Sequence, residues 1–166
     1  VDEIYGLHNA TLHQVGEIGL ISGTIMSRID TFEIEITGSG GHGSTPHLCH
    51  NPIQIGTNII NALHQITSQE IDSKDRCVLT VGQFTCGSTF NVIPETGKIQ
   101  GTCRTITPNT ADKIKKRIQE ISEGMAQIYH SDVKVSFTCP GVLTYNHEKQ
   151  TKIVQKIEVI NAKQIA

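Results

Sequence analysis

With 166 residues the chain has room for one ordinary domain, or for a small domain carrying pieces of another. A formal net charge of −2 leaves no basic field for gripping nucleic acid, and a 4% aromatic content without tryptophan leaves no stacking platform for bases. Five cysteines, Cys49, Cys77, Cys86, Cys103 and Cys139, are odd in number and form no CxxC pair, which argues against a disulfide framework or a zinc knuckle and for reduced thiols in a cytoplasm.

No basic-then-apolar leader opens the sequence, and no apolar run approaches the roughly 18 residues that cross a bilayer, so neither membrane nor nucleic acid is expected as a partner. The opening VDEIYGLHN starts in mid-strand, as though further chain preceded it. Val1 to Met26 carries two short apolar bursts separated by polar and glycine residues. His8 follows the first, a place from which α/β enzymes project ligands, and imidazole suits a divalent transition metal. One histidine does not make a zinc site, which takes three or four protein ligands.

Thr31 to Thr37 alternates Phe32, Ile34 and Ile36 against polar residues, the period of a half-buried strand. It exits into GSGGHGSTPH, Gly38 to His47, where Gly40, Gly41 and Gly43 are expected to supply positive φ and close approach around His42. Pro52 to Gln69 spaces Ile55, Ile59, Ala62, Leu63 and Ile66 as one face of a helix, with Asn51 as N-cap and Pro52 at the first helical position. Cys77 to Cys86 is rich in β-formers. NVIP, Asn91 to Pro94, interrupts the pattern before Lys98 to Thr107, a strand with Arg104 on its polar side.

A second helix is expected from Ala111 to Tyr129, with Ile114, Ile118, Ile121, Met125 and Ile128 on one stripe and Asn109 or Thr110 as cap. Asp132 to Thr138 closes the series as a strand. The order β-α-β-β-α-β is that of a ferredoxin-like α+β fold, a four-stranded antiparallel sheet with two helices on one face. Gly141 to Ala166 reads as a loop and a helical piece, Lys149 to Lys163.

An imidazole, a carboxamide and a guanidinium on the open face or rim of such a sheet would clamp a carboxylate and a polarised carbonyl. Spacing alone leaves equal room for a solvated His42, a turn-filling Asn91 and a surface Arg104. His13, His50, His64, His130 and His147 show no partner and read as surface residues.

Several blocks in register carry a family likeness: GLHN, the glycine-bearing run Gly16 to Met26, DTFEIEITGSGGHGSTPH, NPI, TVGQFTCGSTFNVIPE and GTCRT. Together they resemble the M20 family of metal-dependent peptidases and amidohydrolases, in particular the N-acyl-amino-acid amidohydrolases that include hippurate hydrolases and the hydrolases of auxin conjugates. The resemblance implies an α/β catalytic domain holding two divalent metal ions, zinc or manganese with nickel or cobalt as further candidates, and an inserted lid or dimerisation domain with the ferredoxin-like order. It makes residues 1–27 a fragment of the catalytic domain, 28–140 the lid, and 141–166 the start of the return.

By the same resemblance His8 is a metal ligand. His42 is the catalytic lid residue that reaches a partner subunit's site, and Asn91 and Arg104 bind the substrate's carboxylate and neighbouring polar groups. A homodimer through the lid and an N-acyl amino acid substrate follow, with metal-activated water attacking the acyl carbonyl. The remaining metal ligands and the general base have no match here, Ala10 and Thr11 stand where the family's usual proline follows GLHN, and the tail after Gly141 matches poorly. The polypeptide alone is therefore expected to be inert. Two alternatives are an M20-type aminopeptidase or carboxypeptidase acting on peptides, which GGHG followed by a PH pair disfavours, and a non-catalytic ferredoxin-like binding module.

Overall fold

A computed structural model of the chain describes residues 1–9, 11–15, 17–157 and 162–164, with 157 and 162–164 described by backbone alone. In chain order the strands and helices are β1 (Ile18–Leu20), β2 (Gly23–Met26), β3 (Arg28–Thr37), β4 (Gly41–His42), α1 (Pro52–Gln65), β5 (Cys77–Cys86), β6 (Val92–Ile93), β7 (Thr96–Thr105), α2 (Pro108–Ile128), β8 (Asp132–Gly141), β9 (Thr144–Asn146), α3 (Glu148–Ile157) and β10 (Ala162–Gln164). They fall into two compact units, Ser27–Leu143 and the pair of flanks Val1–Met26 with Thr144–Ala166.

The alternation in TFEIEIT makes β3 the centre of the larger unit. Its even-numbered side chains from Phe32 to Ile36 are buried beneath the helices, and the sheet runs β5-β7-β3-β8 with every neighbour antiparallel. Ile34 stands opposite Ile99 on one side and Val135 on the other. Onto this face α1 lays Ile55, Ile59 and Leu63, and α2 lays Ile114 and Ile118. Each such side chain, withdrawn from water, contributes roughly 1.5–3 kcal/mol before ordering entropy is counted. The mixed α+β fold, with a four-stranded antiparallel sheet and two helices on one face, is as the sequence leads one to expect.

Helix boundaries follow from capping chemistry. Asn51 Oδ1 accepts the Ile53 amide at 3.0 Å and Pro52 fills the first turn, where its missing N–H costs nothing. A π turn, Ile66–Glu70, extends α1. At α2 the cap is Thr107, which accepts the Thr110 amide at 3.2 Å, rather than Asn109 or Thr110. Pro108 drives its predecessor into extended backbone, which is the conformation an N-cap needs, and β7 ends at Thr105, short of the expected Thr107. Ile128 is 67% exposed and leaves the expected stripe, while Ala111, Ser122 and Ala126 are buried.

Asp30, on the same buried face of β3, is 1% exposed. Arg28 donates to its two oxygens at 2.8 and 3.0 Å, and Lys115 from α2 approaches at 2.7 Å. Burial pushes the Asp30 carboxyl up, but these two cations outweigh it and hold its pKa below the usual carboxylate range. The triad ties α2 to the first turn of the sheet's central strand.

In the smaller unit β1 pairs with β10 in parallel, and β2 pairs with β9 antiparallel. The expected helix Lys149 to Lys163 is therefore shorter. It ends at Ile157, and Ala162–Gln164 is a strand because Ile18–Leu20 offers it a ladder. Residues 158–161 of that expected helix, Ala10 after GLHN, and Gly16 lie outside the described residues. Among the described residues no helix is long and apolar enough to cross a membrane.

Candidate functional site

His42 and Asn91, far apart in sequence, meet at one end of the sheet. The chain leaving β3 and the chain entering β7 run side by side, fastened by Gly38 N to Glu95 O at 2.8 Å and Gly43 N to Asn91 O at 2.9 Å. Between those bonds β4 pairs with β6, His42 directly across from Val92 and Gly41 across from Ile93. Residues opposite one another in an antiparallel ladder send their side chains to the same face. One face thus carries exposed His42 and Val92, and the other carries Gly41 and buried Ile93.

The glycines serve this contact and not a left-handed turn. None of Gly38, Gly40, Gly41 and Gly43 has positive φ, contrary to expectation. A Cβ at Gly41 would stand 2.6 Å from Cys49 Sγ, and one at Gly43 would stand 3.0 Å from the Asn91 carbonyl oxygen. They permit two strands of this chain to close on each other and push His42 outward.

The imidazole is fixed by Ser44, whose backbone N–H donates to His42 Nδ1 at 3.2 Å and whose hydroxyl lies 2.7 Å from the same atom. A backbone N–H can only donate, so Nδ1 is the acceptor and the ring proton resides on Nε2. Thr45 holds the His42 carbonyl through both its amide, at 2.9 Å, and its hydroxyl, at 3.1 Å. Thr89 Oγ1 donates to Asn91 Oδ1 at 3.2 Å, which turns the carboxamide so that its NH2 is the group left to donate. Two exposed residues on neighbouring segments, His42 and Asn91, thus each keep an N–H group to donate. Ser44 and Thr89 escaped the sequence reading, although a hydroxyl residue two places from each was visible in GHGS and TFN.

Arg104 does not join them. It lies near the far end of β7, exposed on the helix-free face between Ile29 and Val78, with no ion pair among the described residues. From Gly97 to Arg104 the strand advances roughly 23 Å at about 3.3 Å per residue. That end is where the chain enters and leaves the larger unit.

His8 belongs to the smaller unit. Its Nδ1 lies 2.6 Å from the Asn9 carbonyl oxygen, so Nδ1 carries the proton and Nε2 keeps its lone pair, the orientation of a metal-ligating imidazole. The described residues contain no group of three or more His, Cys, Asp or Glu side chains able to hold a metal ion. His8 fits as one ligand; the described residues do not complete a centre. Three histidines expected to lack partners do have ring neighbours: His50 and His130 meet edge-on at 6.1 Å, and His147 meets Tyr145 at 5.3 Å.

Residues 27–130 match the family model described as the peptidase dimerisation domain of the M20 type. The chain is 30% identical to an N-acetyldiaminopimelate deacetylase of Priestia megaterium over 91% of its own length and 40% of the relative's. It is 33% identical to an N-acetyl-L-cysteine deacetylase of Bacillus subtilis over 97% and 40%. A crystal structure from methicillin-resistant Staphylococcus aureus, provisionally called an aminohydrolase, superposes with a TM-score of 0.80 at 26% identity, over 95% of this chain and 42% of that one. A dinuclear metal-binding peptidase of the M20 family from Bacillus subtilis gives 0.65 at 21% identity, over 95% and 39%, and shares the fold. The chain spans about two fifths of the length of these curated relatives.

Proposed function

We propose, from the premise that this chain belongs to the M20 family of peptidases and amidohydrolases, that it is the lid-bearing part of a metal-dependent amidohydrolase that splits N-acyl amino acids into a carboxylic acid and a free amino acid. Residues 28–140 serve as the lid and dimerisation domain, and 1–27 and 141–166 as parts of the catalytic domain. The observation that carries the reading is the Ser44 bond to His42 Nδ1, which leaves Nε2–H of an exposed ring free to donate, on a segment whose Gly43 amide is bonded to the Asn91 carbonyl. Two N–H donors held in advance on one rim are what an acyl carbonyl needs as its oxygen gains charge.

Arg104 receives the substrate's carboxylate, for which its planar fork is matched. Because it sits at the opposite end of the sheet from His42, the three residues converge only when two lids are related by a two-fold axis that sets the Arg104 end of one beside the His42 end of the other. The protein is thus a homodimer with shared sites. His8 supplies one ligand toward a pair of divalent ions, zinc or manganese; when bound, these provide the Lewis acid that lowers the pKa of water. The chain's own part is to position the substrate and hold the oxyanion donors. The cysteines are all free thiols, which favours a reducing, cytoplasmic setting.

The names of the two deacetylase relatives favour N-acetyl amino acids over hippurate-type substrates and over peptides. In the polypeptide completed to the length of its relatives, release of acetate from a panel of N-acetyl amino acids is expected, with His42→Ala lowering kcat on the order of 10²–10³-fold. Preference for unacylated di- and tripeptides over the whole panel would transfer the assignment to the peptidases.

A further inference from the structure

We propose that a polar trough on the helix-free face of the sheet, beside Arg104, seats the side chain of the substrate's amino acid, and that it selects a side chain that is uncharged and hydrogen-bonding, a carboxamide above all. This seat presupposes the reading of Arg104 above as the receptor of the substrate's carboxylate.

Strand register builds the trough. Thr80 stands opposite Thr102, Thr102 opposite Thr31, and Thr31 opposite Thr138, so a row of threonines crosses the whole sheet β5-β7-β3-β8. Directly opposed residues share a face, and this row lies on the face that carries Arg104. Beside it Gln100, Glu33 and Ser136 form a second row. The register slips between Val81 and Gln83, and Gly82 adds no side chain, which leaves an open cavity of about 680 Å³ lined by both rows. Thr102 is two residues from Arg104 on β7, roughly 7 Å along the strand. A substrate held at Arg104 by its α-carboxylate can therefore lay a side chain of glutamine's length on the threonine row.

The groups in the trough determine what fits. Glu33 is paired with Lys98 at 3.1 Å and accepts from Gln100 at 2.8 Å, so one charge of each sign is present and each is already answered. An ammonium would be drawn to Glu33 and repelled by Lys98, a carboxylate the reverse, and either would be stripped of water for no net attraction. An apolar side chain would cover polar groups that have nothing else to bond. Among the described residues the Thr102 and Ser136 hydroxyls have no protein partner, and Gln100, whose NH2 serves Glu33, keeps its carbonyl oxygen open. The Thr31 and Thr138 hydroxyls lie 2.5 Å apart, and the bond between them uses one proton and leaves the other to donate. Free donors and free acceptors stand together, and a carboxamide supplies the complement of both.

The test uses the polypeptide completed to the length of its relatives, with acetate release measured on N-acetylglutamine, N-acetylmethionine, N-acetyllysine, N-acetylglutamate and N-acetylglycine. The glutamine derivative is expected to have the highest kcat/KM, on the order of tenfold above methionine, which matches its length without its hydrogen-bonding groups. A Cβ at Gly82 would meet nothing within 4 Å, so Gly82→Val fills the trough without a clash. It is expected to lower the ratio of kcat/KM for N-acetylglutamine to that for N-acetylglycine, which sends no side chain into the trough, on the order of tenfold. Thr102→Val is expected to bring the glutamine-to-methionine ratio toward one. Each readout is a ratio on one preparation, so any loss of folded enzyme cancels. A parent enzyme that hydrolyses these compounds but prefers methionine, lysine, glutamate or glycine overturns the inference alone, as do variants that leave their ratios unchanged. A parent enzyme that hydrolyses none of them overturns the reading of the protein as a hydrolase of N-acyl amino acids, and this inference with it.

Discussion

The backbone amide of Ser44 donates to Nδ1 of His42 at 3.2 Å, and the Ser44 hydroxyl meets the same nitrogen at 2.7 Å. Two bonds to one ring atom set the tautomer before any ligand arrives. Ser44→Ala removes one and keeps the other, so the expected loss is about 1 kcal/mol, or roughly fivefold in kcat with KM little changed. Steady-state kinetics on the completed enzyme measure the loss, and imidazole ¹⁵N shifts should move toward a tautomer mixture. Unchanged shifts would show that the hydroxyl plays no part.

Gly101 faces the core from β7, where a Cβ would stand 2.3 Å from Phe32 Cζ and 2.4 Å from the Thr80 carbonyl oxygen. The ring could turn aside but the backbone carbonyl could not. Gly101→Ala is expected to destabilise the 166-residue chain by about 1–3 kcal/mol, read as a fall in the urea midpoint at constant slope.

The Arg28–Asp30–Lys115 cluster predicts acid sensitivity. The folded pKa of Asp30 is depressed, so its stabilisation is complete above the unfolded value, about 3.9, and is lost as pH falls through the lower folded value. Urea unfolding from pH 7 down to pH 2 should show a steeper acid loss for the parent chain than for Asp30→Asn. Lys115→Met, which removes a charged hydrogen bond, is expected to cost roughly 1.5–3 kcal/mol at pH 7.

Burial, aided by the Asp30 charge, pushes the Cys103 thiol up to about 12, while Cys139 is exposed. Iodoacetamide at pH 8 should therefore modify Cys139 and spare Cys103, as judged by peptide mass spectrometry. Equal labelling of the two would contradict the described core.

The four long strands and both helices of the larger unit were legible because they are periodic. Phe32, Ile34 and Ile36 alternate, Ile55, Ile59 and Leu63 recur at helical spacing, and Pro52 marks a helix start. The pairing of β4 with β6 was not legible, since two-residue strands have no period and their contact spans the whole of α1 and β5. The cap of α2 was misplaced because Thr107, Asn109 and Thr110 are all capable caps, and the decision lies with Pro108 between them. Ala162 and Lys163 fall within the helix that the sequence pattern predicts, because only the partner Ile18–Leu20 makes Ala162–Gln164 a strand. For the site, His42, Asn91 and Arg104 could be singled out by chemistry, but sequence could not tell that two of them share a rim while the third lies at the other end of β7.

Complementation between two crippled chains probes that separation most directly. In the completed polypeptide, His42→Ala and Arg104→Ala homodimers each lose both sites. In the heterodimer one site draws its imidazole from one chain and its guanidinium from the other, both intact. Mixing, unfolding and refolding equal amounts is expected to restore about a quarter of the parent activity, since half the dimers are mixed and each carries one whole site. If the mixture remains as inactive as its components, the two ends of the lid do not serve one site from different subunits, and the account fails.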